Sequence, residues 1–328
     1  MTTAPRSPAP LSARGALSAR LDRVLRGDGS DLEVLRGARP LDERDALQSL
    51  LTIHELHIGA IDRVGPAVRW QHHPVVAELK GRLEDLLLAD VDATAPAPRS
   101  GDAVTAMRAL ARRDLVPPVY DWLAEEASME ELVRFLALEG GPDGGFDDLV
   151  AVCQVGLEGE PKLELARNYW DEMGRGILAE VHTVLHQQLG AAIGMPAVPR
   201  EEQPLSGLRR TALGTTLATN RYLQPELVGA LGLLELQAGP RCRRVVRALT
   251  RLGAPAGAFP FYVEHADVDP IHGKAWLDKV VAPLQDDEWW SAGIVRGARW
   301  RSAANAAFFA ETEAMLVDTH PRQRLLSA

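Results

Sequence analysis

The chain has 328 residues, a formal net charge of −9 and two cysteines, Cys153 and Cys242. This length allows one large domain with a sizeable buried core. The acidic balance excludes the basic surface that nucleic-acid binding requires, and two cysteines exclude a disulfide framework. The apolar stretches are interrupted well before 18 residues, so we expect no membrane-spanning segment.

The amino-terminal stretch differs in composition from the rest of the chain. It is rich in Pro, Ala, Arg and Ser and lacks the apolar run of a secretory signal. We therefore expect residues 1–40 to be disordered or partly helical and residues 41–328 to form one domain. A reducing cytoplasm is the expected location.

Beyond residue 41, apolar residues recur at helical spacing, whereas the alternation typical of strands is scarce. The glycine-rich stretch at 140–145 indicates a break between helices. The predicted fold class is therefore all-α. We predict helices at 42–65, 75–88, 103–112, 119–137, 163–189, 209–220, 225–252, 261–281 and 289–316.

Three polar residues in the helix predicted at 261–281 share one face. His265, Asp269 and His272 are spaced His-x3-Asp-x2-His, and offsets of 4 and 7 residues return to nearly the same angle on a helix. Imidazole with carboxylate is the ligand mix of non-haem iron, and it also suits zinc and manganese. The alternative is a polar helix face with two surface histidines. Pro270 lies inside the motif and predicts a kink there.

Two carboxylates adjoin apolar runs. Glu235 lies within the run 231–236, where an unpaired buried charge costs several kcal/mol. This carboxylate therefore either faces water or binds a cation. Glu139 ends another apolar stretch just before the glycine-rich break, where a solvated carboxylate is the alternative reading.

Glu172 and His182 are ten residues apart in a predicted helix. A straight helix would separate them by about 15 Å, too far to share one metal. Two metals about 4 Å apart, or unwinding at Gly174 and Gly176, would relax that limit. Each mid-helix glycine costs about 1 kcal/mol relative to alanine. Close packing between helices is the other reading of these glycines.

A second set of histidines, His54 and His57 with Glu55, lies near the amino end. No carboxylate is in phase with both imidazoles, so we interpret these residues as packing and surface residues. A zinc hydrolase needs three protein ligands and an open water position. This chain offers six or seven candidate ligands, which argues against a zinc hydrolase.

These motifs in combination resemble the haem-oxygenase-like diiron oxidases, a family of iron-containing redox enzymes. The run Asp171-Glu172-x-Gly174-x-Gly176-x5-His182 is followed by Glu235 and then by His265-x3-Asp269-x2-His272-x3-Trp276. The resemblance covers about residues 42–316 and implies a haem-oxygenase-like helical bundle that binds two non-haem irons and no haem. The six core ligands that it implies are Glu139, His182, Glu235, His265, Asp269 and His272.

Glu172 matches an additional carboxylate that some family members, notably the N-oxygenases, recruit from a helix that unwinds. The resemblance therefore implies that Glu172 is a metal ligand and a catalytic residue. It also places the chain closest to the N-oxygenase-type members.

The same resemblance implies an O2-dependent oxidoreductase with two Fe(II)/Fe(III) ions as cofactors and O2 as cosubstrate. A peroxo-diferric species would carry out N-oxygenation of an amino-acid-like amine in specialised metabolism. The implied partners are a small-molecule substrate and an external electron donor. We expect no binding to nucleic acid or membrane, and a homodimer is a possible assembly. Two alternatives stay open: C–H desaturation, C–C cleavage or decarboxylation of an aliphatic amino or fatty acid at the same site, and a metal-free binding protein of the same fold.

Overall fold

The computed structural model describes residues 15–27, 32–97, 101–140 and 145–317. These residues form helices and connecting turns without a strand, which confirms the all-α prediction. None of the described helices is both long and apolar enough to cross a membrane. The helices are α1 (Gly15–Arg26), α2 (Glu43–Ile58), α3 (Pro74–Thr94), α4 (Ala103–Arg113), α5 (Pro118–Glu125), α6 (Met129–Gly140), α7 (Phe146–Cys153), α8 (Gly159–Glu172), α9 (His182–Ile193), α10 (Leu205–Thr219), α11 (Gln224–Arg251), α12 (Pro260–Ala275) and α13 (Glu288–Val317), with short turns of helix at Ile61–Val64 and Ala282–Leu284 and a π-helical turn at Trp276–Val281.

The amino-terminal helix α1 packs into the main hydrophobic core. Leu17, Leu21 and Leu25 are buried in the same cluster as the apolar face of α2. Both carboxylate oxygens of Asp45 accept main-chain N–H groups of α1, from Leu17 at 3.2 Å and from Ser18 at 2.9 Å. The core therefore includes residues that precede position 41, the expected start of the domain. Residues 1–14 and 28–31 of the amino-terminal segment lie outside the described residues.

Helices α11, α12 and α13 form the centre of the bundle. A Cβ on Gly239 would meet the ring of Pro270, and one on Gly232 would meet Trp276, so α12 runs antiparallel to α11. Gly229 lies so close to α13 that a Cβ there would overlap the carbonyl oxygen of Ile294. Further along, Arg241 of α11 packs on Phe309 of α13, so these two helices run parallel.

Helix α12 continues through Pro270, where a kink was predicted. A proline removes the hydrogen bond to the carbonyl four residues earlier, which here belongs to Ala266. Arg243 of α11 donates to that carbonyl oxygen at 2.8 Å, and Gly239 leaves room for the proline ring. Contacts from α11 thus satisfy the freed carbonyl, and the irregular backbone comes later, in the π-helical turn.

Three of the predicted helices are divided in the structure. The segment 42–65 ends as α2 at Ile58, and a separate turn follows at Ile61–Val64. The segment 119–137 is divided between α5 and α6, because Ser128 begins a new helix: its N–H and hydroxyl donate to Glu131 at 2.7 Å, a capping box. The segment 163–189 is divided between α8 and α9. The break between α8 and α9 shapes the candidate site.

Candidate metal centre

A cavity of about 410 Å³ lies inside the bundle. It is lined by residues of α5 to α13, among them six of the seven predicted ligands. The seventh, His272, lies beside the lining residues Glu235 and Asp269. The site predicted from separate motifs is therefore one region of the fold.

Glu172, His182 and His265 form a first triad. Their ligand atoms all lie within 4.8 Å of one another, and the rings of His182 and His265 have centroids 4.4 Å apart. Nδ1 of His182 is 2.8 Å from Oε2 of Glu172, yet it makes no hydrogen bond. Two ligand atoms bound to one metal through bonds of about 2.0–2.2 Å lie about 3 Å apart, which is the separation seen here.

The break between α8 and α9 brings Glu172 and His182 together. Helix α8 ends at Glu172, and Gly174, Arg175 and Gly176 follow with φ of 58°, 53° and 86°. This left-handed stretch reverses the chain before α9 begins at His182. A Cβ on Gly174 would lie 2.5 Å from the carbonyl carbon of Glu180. Glycine is therefore required there both for its φ and for the close backbone approach.

Glu235, Asp269 and His272 form a second triad, and their ligand atoms also lie within 4.8 Å of one another. All three are buried, at 3–5% exposure. Gly273 lets α12 approach α11, because a Cβ there would lie 2.9 Å from the carbonyl oxygen of Glu235. The motif helix is thus held against the helix that carries Glu235.

Neighbouring groups orient the ligand atoms. Nε2 of His272 lies 3.0 Å from Oδ2 of Asp171, so the N–H faces the carboxylate and Nδ1 keeps its lone pair. Nδ1 of His265 lies 2.6 Å from the carbonyl oxygen of Phe261, which leaves Nε2 of His265 as the ligand atom. Hydrogen bonds of this kind fix the tautomer of metal-binding histidines.

Asn168 orients Glu235 by donating to its Oε1 at 2.8 Å. No role was predicted for Asn168, and Asp171 was named only as the first residue of the motif that ends at His182. Asn168 lies four residues before Glu172, which puts both on one face of α8, and this spacing is the signal that could have identified it. Asp171 had no such signal, because its partner comes from α12.

Burial and mutual repulsion govern the charges of the triads. Burial, with repulsion from Glu172, raises the pKa of Glu235 to about 7. The pKa of Asp269 is also raised well above its ordinary value, by burial and by the charges of Glu235 and Glu172. Glu172 thus acts on both carboxylates of the second triad. Both triads contribute residues to the lining of one cavity, and His265 and Asp269 lie one helical turn apart on α12.

The histidines of the first triad shift in opposite directions. Burial lowers the pKa of His265 to about 4. Burial also opposes the protonation of His182, yet the adjacent Glu172 carboxylate raises the pKa of His182 above its ordinary value. At neutral pH, His265 is therefore a neutral imidazole, the form that binds a metal.

The residues fit a metal centre. Oε2 of Glu235, Nδ1 of His272 and Nδ1 of His182 are buried without a hydrogen-bond partner among the described residues. Buried polar atoms nearly always have partners, so each such atom requires an explanation. All three belong to the triads, and a bound cation would satisfy them. Imidazole with carboxylate suits iron, and also zinc and manganese.

Glu139 lines the cavity but belongs to neither triad. Its Oε1 accepts a hydrogen bond from the hydroxyl of Tyr120, and its Oε2 accepts one from Tyr262 at 3.4 Å. Glu139 therefore lies near the triads, but its carboxylate oxygens accept hydrogen bonds from tyrosine hydroxyls. Its role as a metal ligand stays a prediction.

The amino-terminal histidines form no metal group among the described residues. His54 lies 2.6 Å from the hydroxyl of Thr215 and 2.9 Å from a carboxylate oxygen of Glu84. His57 packs edge-on against His72, with ring centroids 5.8 Å apart. Both contacts agree with the interpretation of these histidines as packing residues.

No curated protein shows significant similarity to the chain. A family model described as iron-containing redox enzyme matches residues 133–306, which is more than half of the chain. The matched segment contains both triads, Glu139 and the break between α8 and α9. The chain therefore belongs to the family of iron-containing redox enzymes, with the all-α, haem-oxygenase-like bundle of that family.

Proposed function

We propose that this chain is an O2-dependent, non-haem diiron oxidoreductase in which each triad binds one iron. The observation that carries the proposal is the pair of triads on one cavity, in which five ligands are buried and His265 is half-buried, and in which three ligand atoms have no hydrogen-bond partner among the described residues. Either triad alone offers three ligands. Together they offer three carboxylates and three imidazoles, which suits two ions better than one.

The spacing along α12 supports two ions. His265 and His272 lie on one face of the helix but about 10 Å apart along its axis, so they cannot bind the same ion. His265 belongs to the first triad, and His272 with Asp269 belongs to the second. Helix α12 thus serves both positions.

Two ferrous ions bound there would supply electrons for the reduction of O2. The residues of the chain have separate tasks. The carboxylates of both triads balance positive charge, and Asp171 and the Phe261 carbonyl hold the imidazoles in their ligand orientation. The cavity holds the substrate next to the triads, within a volume typical of small-molecule sites.

We further propose N-oxygenation of an amino-acid-like amine as the reaction. The support is Glu172, a carboxylate beyond the six core ligands, which the unwound segment brings to His182. Glu172→Gln keeps the shape of the side chain and removes its charge. We expect this variant to lose oxidation of an amine substrate at least about tenfold while the second triad still binds iron.

The test of the diiron centre is an iron count on protein loaded with Fe(II) without oxygen. We expect about two irons per chain, and about one in His265→Ala, because that change removes an imidazole from the first triad only. His57→Ala is the control, since His57 lies outside both triads, and it should keep two irons. Saturation of the unchanged protein at one iron, or full activity with zinc alone, would overturn the proposal.

The reaction is tested with the same protein, O2 and a reductant on a panel of amino acids, amines and fatty acids. N-hydroxy, nitroso or nitro products support N-oxygenation. Alkenes, cleaved carbon chains or CO2 without nitrogen oxidation would replace it with the C–H and C–C alternative at the same centre.

A further inference from the structure

A pair of polar side chains lines the cavity outside the two triads. Arg241 comes from α11 and Asn305 from α13, and both face the same space as Glu235 and Asp269. On α11, Arg241 is six residues beyond Glu235, about 9 Å further along the axis and turned by about 120°. This pair therefore occupies a different part of the cavity wall from the second triad.

Arg241 is a buried cation without a carboxylate partner. Its side chain is 6% exposed, and its guanidinium donates to the carbonyl oxygens of Leu115 and Asp114 and to the amide oxygen of Gln237, at 2.7–3.1 Å. These acceptors are all neutral. Among the described residues, no carboxylate oxygen forms an ion pair with Arg241, although buried charges are as a rule paired.

The local electrostatics agree with this view of Arg241. Burial lowers the pKa of its guanidinium, while the nearby Tyr120 and Glu139 raise it in part. The Glu139 carboxylate is already engaged by the hydroxyls of Tyr120 and Tyr262. An additional anion in the cavity would therefore offset a charge that the described residues leave without direct compensation.

Asn305 has unused hydrogen-bonding capacity at both ends of its amide. It is 3% exposed, and neither Oδ1 nor Nδ2 has a partner among the described residues. A buried amide without partners is destabilising unless a ligand or water satisfies it. Its position on the cavity wall makes a bound ligand the fitting partner.

Arg241 and Asn305 both lie next to Phe309 on the cavity wall. Asn305 lies one helical turn before Phe309 on the same face of α13, and both line the cavity. The guanidinium carbon of Arg241 is 5.0 Å from the centre of the Phe309 ring. Arg210 and Arg301 also line the cavity, but other groups engage them, and they carry no part of the inference.

We propose that Arg241 and Asn305 form a subsite for the carboxylate of the substrate, while the triads receive its nitrogen-bearing end. The substrate class is thus an amine that carries a carboxylate several bonds away from the reacting nitrogen. A guanidinium binds a carboxylate through charge-assisted hydrogen bonds, and the amide N–H of Asn305 adds another donor. A carboxylate suits the site better than a phosphate, because one uncompensated cation matches one negative charge. The assignment of the nitrogen end rests on the proposed function, whereas the carboxylate subsite does not.

The test compares binding of ω-amino carboxylates with four, six and eight carbons to binding of the alkylamines of the same length. Calorimetry is done without oxygen, on both metal-free and Fe(II)-loaded protein. We expect at least one ω-amino carboxylate to bind about tenfold or more tightly than its matched alkylamine. No preference for the carboxylate at any length would overturn the subsite.

Two variants and a control locate the preference. Arg241→Gln and Asn305→Leu should each remove most of it. Asn305→Leu breaks no hydrogen bond of the described residues, so its melting temperature should be equal or higher, which shows that the variant folds. Arg251→Gln is the control and should keep the preference. Like Arg241, Arg251 donates from α11 to main-chain carbonyl oxygens, here those of Ala124 and Leu123, but it does not line the cavity.

The outcomes separate this inference from the diiron proposal. A preference that needs iron and survives both variants would mean that the carboxylate binds the metal, and the subsite would be wrong. A preference seen in metal-free protein and lost in both variants supports the subsite even if the iron count contradicts the diiron centre.

Discussion

At the residue scale, Glu235 shows that a ligand carboxylate of the metal-free site is costly to ionise. Its carboxyl group is buried, and its pKa is raised to about 7 by that burial and by Glu172. The unfolded chain ionises this group near 4.5, so the folded protein binds the proton more tightly. The contribution of this group to the free energy of unfolding is therefore full below pH 4.5. It decreases as the pH rises and is lost above about pH 7.

This linkage predicts how the metal-free protein responds to pH. Between pH 6.5 and 8 its free energy of unfolding should fall by roughly 1 kcal/mol from Glu235 alone. The raised pKa values of Asp269 and His182 act in the same direction. The lowered pKa values of His265 and His57, about 4 against 6.5 in the unfolded chain, act in the opposite direction up to about pH 7. Denaturant unfolding after chelation measures the effect.

Glu235→Gln provides the matched comparison, since glutamine has nearly the same shape and no charge. This variant should show a smaller loss of stability with pH and should be at least as stable as the unchanged protein at pH 8. An equal slope in both proteins would mean that Glu235 is ionised in the fold.

The spacing of His265, Asp269 and His272 predicted a shared helix face, but not how that face is divided. Two triads share it because residues seven apart lie about 10 Å apart along a helix. Residues of α8 and α9 complete the first triad, and Glu235 of α11 completes the second. Asn168 and Asp171 show the same limit, since their hydrogen bonds reach other helices. A helix-face pattern identifies candidate ligands, whereas their grouping depends on tertiary contacts.

At the scale of elements, apolar periodicity predicted most helices, and it failed where the chain turns without losing its pattern. The segment 163–189 has helical periodicity, yet Arg175 at its centre has a φ of 53°. That conformation is uncommon for a residue other than glycine. It is held in place by ion pairs from Arg175 to Glu264 at 3.0 Å and to Glu180 at 3.4 Å. The apolar periodicity of α8 contains no information about the ion pair with Glu264 of α12, so it could not predict this turn.

Gly174→Ala tests whether this turn forms the first triad. The alanine Cβ would meet the backbone of Glu180 and Val181 at 2.5–2.6 Å, so the turn must open and separate Glu172 from His182. We expect a loss of more than about 1 kcal/mol in stability and a drop to about one bound iron per chain. Unfolding curves and an iron count measure both effects.

Gly159→Ala is the control for that substitution. Gly159 has a nearly equal φ of 62°, but no atom lies within 4 Å of the position of its Cβ. It should therefore show only the backbone cost of about 1 kcal/mol and keep two irons. If both variants bind iron equally well, the close approach at Gly174 does not shape the site.

At the scale of the whole molecule, the boundary of the domain is the feature that composition describes least well. The amino-terminal stretch is rich in residues typical of disorder, but Leu17, Leu21 and Leu25 recur every four residues, which is a helical spacing. In the structure these leucines enter the core beside α2. Composition averages over the segment and so conceals a short amphipathic helix within it.

Leu21→Ala tests whether α1 is part of the cooperative unit. Leu21 is fully buried, and truncation of a buried leucine to alanine costs about 2–5 kcal/mol. The control, Leu41→Ala, alters a side chain that is 68% exposed and should cost less than about 0.5 kcal/mol. Because α1 shares its core with α2 and its N–H groups bind Asp45, Leu21→Ala should lower the midpoint of a single unfolding transition seen by helical circular dichroism. An unchanged main transition, preceded by a small separate one, would instead make α1 an independent appendage on a domain that begins near residue 41.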